Sequence, residues 1–404
     1  MKTFNTEAFI KKYITHRPES LLKKDLDANL EILKDRIDGK SILVIGGAGT
    51  IGSSFIKAVL HFHPKRLYVI DISENGLTEL TRDLRSSLDY NIPGDFKTYP
   101  INFGDKVFEK LLENEGPFEI VANFAAHKHV RSEKDQYSIE AMIENNVLKA
   151  KKLLDLLVKH PPAHFFCVST DKAANPVSVM GASKKLMEEV IMAYSEKIPI
   201  TTARFANVAF SNGSLLFGFH ERLMKRQPVA VPTDIKRYFV SPEESGQLCM
   251  LACILGESGE IFFPKMDESE MKTFVSITYD FFREYGLEVD ECKTEQEARE
   301  KARLLNDVSK SYPVLFFKTD TSGEKSFEEF YTTRDQVSFN RFIELGVIEN
   351  APKKPVEVIN QRFDELHELF GKNNVTKKTI VNWLSKVVEG FHHIETGKNL
   401  DQKM

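Results

Sequence analysis

The feature that most constrains this chain is the stretch Gly46-Gly47-Ala48-Gly49-Thr50-Ile51-Gly52, which directly follows the short apolar run Ser41 to Ile45. Glycine admits left-handed backbone and close approaches that a Cβ forbids. Glycines at this spacing, between a strand and the amphipathic helical pattern Ile51 to Leu60, demand a tight strand-to-helix turn. A second apolar run, Arg66 to Ile70, closes on Asp71, and an acid about 20 residues beyond such a loop takes ribose hydroxyls. Backbone amides at the helix N-terminus meet the charge of a pyrophosphate. A dinucleotide is therefore expected on Gly46, Gly49, Thr50, Ile51, Gly52 and Asp71, and a carboxylate at Asp71 would repel a 2′-phosphate, so NAD is expected over NADP.

Further apolar runs, Phe96 to Ile101, Glu119 to Phe124, Phe165 to Val168, Ile200 to Phe205 and Glu260 to Phe263, alternate with helical patterns such as Tyr137 to Lys159. That alternation predicts an α/β fold with a doubly wound parallel (Rossmann) sheet. The 404 residues divide on this reading into four parts. They are a helical extension over 1–39, a NAD-binding domain over 40–205 whose core can run on to about 263, a mainly substrate-binding region over 206–335 and a C-terminal helical extension over 336–404. The segment Glu291 to Leu305 interleaves acids and bases and predicts an inserted surface helix rather than a nucleic-acid arm.

A formal charge of -4 gives no general attraction to nucleic acid or membrane. Cys167, Cys249, Cys253 and Cys292 fall mostly in apolar segments without a Cys-x-x-Cys pair, as expected of buried free thiols with no metal site. No apolar run reaches the ~20 residues of a membrane span, and a cytoplasmic protein without membrane insertion is expected. The terminal helices are expected to pack on the body or on a neighbouring subunit of a homo-oligomer, and the tail from Thr396 to fray.

Chemistry is expected where Phe165 to Val168 runs out. Ser169, Thr170, Asp171 and Lys172 arrive together at the C-terminal end of that strand, where open α/β sheets bind ligands. Read blandly, Asp171 and Lys172 make a loop salt bridge of little worth, but their place in the fold favours a functional pair. Beyond Asn175-Pro176, Val179, Ala182, Leu186, Met187, Val190, Ile191 and Tyr194 mark a helix with one buried face, on which Met180 and Lys184 share a side.

The wording STDKAANPVSVMGASKK resembles the sugar-nucleotide 4,6-dehydratases of polysaccharide biosynthesis within the extended short-chain dehydrogenase/reductase superfamily, in the UDP-N-acetylglucosamine branch with Met for Tyr. The resemblance runs from about Arg17 to about Phe330. Where the superfamily holds Tyr-x-x-x-Lys this chain has Met180 and Lys184, and a thioether has no proton to exchange. The resemblance implies that Asn102 reads the adenine, Ala125 and Lys128 in AAHKHV line the nicotinamide and sugar, and Lys184 holds the cofactor ribose. It places the substrate diphosphate on Asn207 of RFANV, Ser214 and Arg237 of KRYF, and gives Lys325 of TSGEKSFE a nucleotide contact. Asn146 is expected to make a helix-to-backbone hydrogen bond inside the sheet.

The activity so implied is removal of water from a UDP-N-acetylhexosamine, with Lys172 as base, Asp171 as acid and Thr170 on O4. For Lys172 to be neutral its pKa must fall, which burial and Lys184 would favour. A UDP-sugar 4-epimerase, a dehydratase that also inverts C5 and a retired enzyme that only senses NAD or a sugar nucleotide are the alternatives.

Overall fold

The structure, a computed structural model, describes residues 4–320, 322–325 and 327–398. Thr321, Ser326 and the last six residues of the expected tail lie outside the described residues. Six strands lead the fold: β1 (Ser41–Ile45), β2 (Arg66–Ile70), β3 (Asp95–Tyr99), β4 (Ile120–Asn123), β5 (His164–Val168) and β6 (Ile200–Ala203). They are followed by β7 (Val229–Pro232), β8 (Glu260–Pro264), β9 (Glu288–Cys292), β10 (Ser311–Phe317), β11 (Val337–Ser338) and β12 (Leu345–Ile348).

Nine of these strands form one sheet in the order β11-β12-β8-β6-β5-β4-β1-β2-β3, parallel from β8 through β3. The chain winds outward from β1 to β3, then returns to β4 on the other side of β1, so the strand order reverses between β1 and β4. That reversal opens a crevice at the C-terminal strand ends. Every position of β1, β4 and β6 is buried, because helices cover both faces, and this is why those strands read as continuous apolar runs. Alternate side chains feed two layers: Leu43, Val121 and Phe165 face one way, and Val44, Ala122 and Phe166 the other.

The helices that position the site are α1 (Leu30–Ile37), α2 (Thr50–Val59), α3 (Val179–Tyr194), α4 (Leu215–Met224), α5 (Pro242–Leu255), α6 (Val356–Phe370) and α7 (Lys377–Val387). Helix α5 crosses α2 so closely that a Cβ on Gly246 would stand 2.2 Å from the Ser54 carbonyl oxygen. Between β4 and β5 the helical run Gln136–Ile143 passes through a π-helical turn, Glu144–Leu148, before resuming as Lys149–Lys159. Inside that turn Asn146 Nδ2 donates to the His127 carbonyl at 3.0 Å and its Oδ1 accepts from the His127 amide at 2.8 Å, the backbone bond expected of it.

A second parallel sheet, β9-β10-β7, was not foreseen, and it corrects one expectation. Glu291 and Cys292 belong to strand β9, so the charged helix is confined to Glu295–Arg303. The sheet packs Val229 and Val314 against Phe281, Phe282 and Phe219. Residues 4–39 attach to both halves: Phe9, Ile10 and Ile14 join this second core, whereas Leu33 and Ile37 of α1 join the first. Between them Arg17 makes a two-pronged ion pair with Glu244, at 2.8 and 2.9 Å.

The C-terminal stretch begins with strands rather than helices, because Leu345–Ile348 pairs antiparallel with β8 and carries apolar residues into the main sheet. Only then do α6 and α7 follow, and Ile359, Phe363, Leu366, Ile380 and Leu384 cover the outer face of α3. Residues 391–398 turn back as a strap. The His392 amide donates to the Pro176 carbonyl at 3.2 Å, the Ile394 amide to Val177 at 3.0 Å and the Gly323 amide to Ile394 at 2.9 Å. Thr396 is therefore tied down rather than frayed, its hydroxyl donating to the Asp320 carbonyl at 2.7 Å.

Candidate active site

The crevice has a part shaped by backbone and a part shaped by charge. In the first, Gly46 has φ +75°, and a Cβ there would stand 2.5 Å from the Ala125 amide nitrogen. A Cβ on Gly52 would stand 2.3 Å from the Gly46 carbonyl oxygen, so β1, the loop and α2 close on one another only without side chains. Gly49 is different: a Cβ there would meet only the Gly46 carbonyl oxygen, at 3.4 Å, leaving its outer face open. Gly49 also caps α2 without a side-chain hydrogen bond, so first-turn amides stand ready for an anion. The Asp71 carboxylate accepts from the Ala48 amide at 3.0 Å and the Ser73 amide at 2.9 Å, one on each oxygen. Lone pairs remain on both oxygens for hydroxyl donors. These features fit a dinucleotide.

The other residues expected around a dinucleotide are placed as follows. Ile51 packs between the two apolar layers. Asn102 Oδ1 accepts from the Gly104 amide at 2.9 Å and so fixes its own turn. Thr50 Oγ1 accepts from the Asn212 amide at 2.9 Å, tying the glycine loop to the segment before α4. Lys184 is buried, donating to the Val168 carbonyl at 2.8 Å, and burial lowers its pKa. Met180 is buried in the apolar layer, and Ser183 Oγ donates to its carbonyl rather than touching its sulfur.

At the charged part, β5 ends and residues 171–173 form one 3-10 turn. Thr170 Oγ1 donates to Asp171 Oδ1 at 2.8 Å, and the same oxygen accepts from the Lys172 amide at 2.9 Å and Lys172 Nζ at 3.2 Å. Asp171 is only 4% exposed, unlike a surface bridge. The expectation of a lowered Lys172 pKa is corrected. Burial does oppose its charge, but Asp171 and Glu328 outweigh burial and raise the pKa. Lys184 has no part in this, since its ammonium is turned to β5.

Beside this turn a cavity of about 660 Å³, within the size range of small-molecule sites, brings together Lys128, Lys172, Asn207, Ser214 and Arg237. Partial burial lowers the Lys128 pKa, an effect that solvent mutes because the residue stays exposed at the mouth. The Asn207 amide donates to the Tyr238 carbonyl at 3.0 Å, and Ser214 Oγ caps α4 by accepting from the Phe217 amide at 3.2 Å. Arg237, almost fully buried, ion-pairs with Glu324. Lys325 is not among the described lining residues; its Nζ stands 3.8 Å from Glu328 Oε2.

Glu324 and Glu328 were missed as site residues. The sequence carries them in the TSGEKSFE segment, four apart, with no sign that they face Arg237 and Lys172 far upstream. Behind the site Arg204, fully buried, forks onto Glu188 at 2.9 and 2.8 Å and donates to the Phe330 carbonyl at 2.8 Å. It thereby fixes the end of the 322–330 segment against β6, and the arginine holds the Glu188 pKa down to about 2 against the effect of burial.

Fold and site define a Rossmann-type protein of the extended short-chain dehydrogenase/reductase class. The chain belongs to the family described as polysaccharide biosynthesis protein, whose model matches residues 42–338. It is 33% identical over 322 residues to a Methanocaldococcus jannaschii protein named as an uncharacterized membrane protein, covering 75% of this chain and 93% of that one. The capsular polysaccharide biosynthesis protein CapD of Staphylococcus aureus is 28% identical over 78% of this chain, which spans 51% of CapD's length. A Campylobacter jejuni UDP-N-acetylglucosamine 4,6-dehydratase (inverting) is 26% identical over 57% of this chain and 68% of its own, while relatives named UDP-glucose 4-epimerase reach 28%. Among solved structures, Pen from Bacillus thuringiensis superposes with a TM-score of 0.60 at 20% identity, over 79% of this chain and 89% of that one. Among the described residues no helix is long and apolar enough to cross a membrane.

Proposed function

We propose that this chain removes water from a UDP-N-acetylhexosamine, UDP-N-acetylglucosamine first among them, giving the 4-keto-6-deoxy sugar nucleotide for a surface polysaccharide or glycan. The observation that carries this reading is the Thr170-Asp171-Lys172 turn, hydrogen-bonded within itself and opening through Lys172 into the cavity. NAD, held by the glycine-loop amides and Asp71, would supply the hydride acceptor and donor. Arg237, Asn207 and the amides behind Ser214 present donors suited to a diphosphate.

The protein's part is then proton movement. Lys172 Nζ takes the proton from C5, made acidic by a ketone at C4, and returns it to C5 at the end. As C4 is oxidised, the O4 hydroxyl passes its proton through Thr170 Oγ1, which already points at the carboxylate, to Asp171, and Asp171 then gives that proton to the oxygen leaving C6. Protons taken and given balance without a tyrosine, so Met180 needs no role. Lys172 can take a proton only as the neutral amine, and the carboxylates that hold its proton set the pH at which the site works.

Mass spectrometry of a sugar-nucleotide panel incubated with the purified protein and NAD tests the reading. Loss of one water from a UDP-N-acetylhexosamine is expected. An unchanged mass with altered sugar configuration would replace dehydration by epimerisation, and binding without conversion of any member would end the enzymatic reading.

A further inference from the structure

Glu328 is a carboxylate with no assigned task at the heart of the charged part. Its side chain is 4% exposed, and it reaches the site from the 322–330 segment, which Arg204 and the C-terminal strap hold in place. One oxygen, Oε1, lies 3.5 Å from Lys172 Nζ; the other, Oε2, is buried without a hydrogen bond, 3.8 Å from Lys325 Nζ. A buried carboxylate left short of donors is costly, so its place beside an amine that opens into the cavity calls for a reason. Asp171 already anchors that amine at 3.2 Å. A second anion adds nothing to the position of Lys172 that Asp171 does not supply, but it adds to the charge felt there.

We propose that Glu328 is the positioning residue that governs the charge of Lys172, holding its proton in the substrate-free site and so setting the pH at which the amine becomes a base. The inference rests on the reading of Lys172 as the base for C5. Other charged groups face Lys172 as well: Asp171 on its own turn, Glu324 and Lys325 on the segment of Glu328, Arg237 from the strand pair 236–237 and 272–273, and Lys128 across the cavity. Arg237 and Glu324 neutralise each other as a pair, and Asp171 is unchanged in both Glu328 variants that test the inference. Glu328 is the group whose neutralisation changes the balance at Lys172 without altering the turn that carries it. Burial, with Asp171 adding to it, raises the pKa of Glu328 itself, while Lys172 opposes that rise.

The test reads Lys172 directly, by competitive acetylation of the full chain with acetic anhydride between pH 7 and pH 11 and peptide mass spectrometry of the Lys172 peptide. Only the neutral amine reacts, so the midpoint reports its protonation whether or not the protein turns over substrate. In Glu328→Gln, nearly the same shape without the charge, the midpoint is expected to fall by about 1–3 pH units, the range for loss of an opposite charge at this distance. Glu328→Asp, which keeps the charge but withdraws it, should move it the same way by less, and it serves where the Gln variant does not fold. The ascending limb of the pH profile for solvent deuterium entering C5 of UDP-N-acetylglucosamine should move with the midpoint. An unmoved midpoint in whichever variants fold overturns the role of Glu328. A midpoint that moves in a protein that converts no sugar nucleotide supports Glu328 and overturns the dehydratase reading instead.

Discussion

Along the glycine loop, Gly46 and Gly52 leave no space for even a Cβ, and the sequence 46–52 carries no charged side chain. At the other part of the crevice Asp171, Lys172, Glu328, Arg237 and Glu324 are held to one another by charge. The first region is a shape made by backbone, the second a balance of charges brought from distant parts of the chain. Gly46 and Gly52 should therefore tolerate nothing that adds atoms, whereas the charged part should tolerate isosteric change in everything except charge. Substitutions that separate shape from charge break or sharpen that contrast.

The largest effect is expected at the acid and base. Lys172→Met and Asp171→Asn should each lower the rate of dehydration by about 10²–10⁴-fold, the contribution typical of a positioned acid or base. NAD affinity, measured by calorimetry on the same preparations, should stay within a few-fold, because neither side chain shapes the glycine loop. Parallel collapse of rate and NAD affinity would show that the two regions are not separable.

The complementary substitution is Gly46→Ala. Its φ of +75° is strained for an L-residue by about 1–2 kcal/mol, and the new Cβ would press on the Ala125 amide at 2.5 Å, an overpacking of about 1–3 kcal/mol. Melting temperature and NAD affinity should drop together while the acetylation midpoint of Lys172 stays put. A Gly46→Ala protein that melts and binds NAD like the parent would remove the case for a backbone-shaped site.

The same contrast decides what could be read from sequence. β1, the glycine loop, α2, β2 and Asp71 follow one another within a short stretch, and each has a pattern that local physics imposes, so this half was legible almost to the residue. The turn at Thr170 to Lys172 was legible for the same reason, because strand and site residues are adjacent. The sign of the Lys172 pKa was not, since it depends on Glu328, a partner that no spacing rule connects to it. β9 was hidden because its residues, Glu-Val-Asp-Glu-Cys, are charged at an exposed sheet edge and run into the helix Glu295–Arg303. The strap over 391–398 is held by backbone hydrogen bonds and by side-chain contacts such as Lys398 to Asp320 and Ser322 to Glu395, whose partners lie far upstream and are linked by no spacing rule.

A smaller effect is expected at Arg237. In the substrate-free site its guanidinium is taken by Glu324, with which a diphosphate would have to compete. Glu324→Gln should therefore tighten UDP binding by roughly three- to tenfold, the equivalent of about 1 kcal/mol. Titration calorimetry at low and high salt would check this, and the gain should shrink as salt rises. Weaker UDP binding in the Gln variant would mean that Glu324 orients Arg237 for the ligand rather than competing for it.

The smallest effect is expected at the position where the resemblance would lead one to look for the largest. Met180 stands in the place of a catalytic tyrosine, yet in the first turn of α3 it is 2% exposed within the apolar layer, and the polar contact near it, from Ser183 Oγ, is to its backbone carbonyl. Nothing in that environment needs a thioether, and a volume-conserving apolar swap costs less than about 1.5 kcal/mol of stability. Met180→Leu should therefore keep most of the dehydration rate and all of the C5 exchange, with only a slight fall in melting temperature. Its pH profile should overlay that of the parent, because leucine, like methionine, brings no titrating group near Lys172. If Met180→Leu instead lost rate on the scale of Lys172→Met while melting normally, the side chain would be touching the reacting sugar. The proton route from O4 through Thr170 to Asp171 would then have to be redrawn around it.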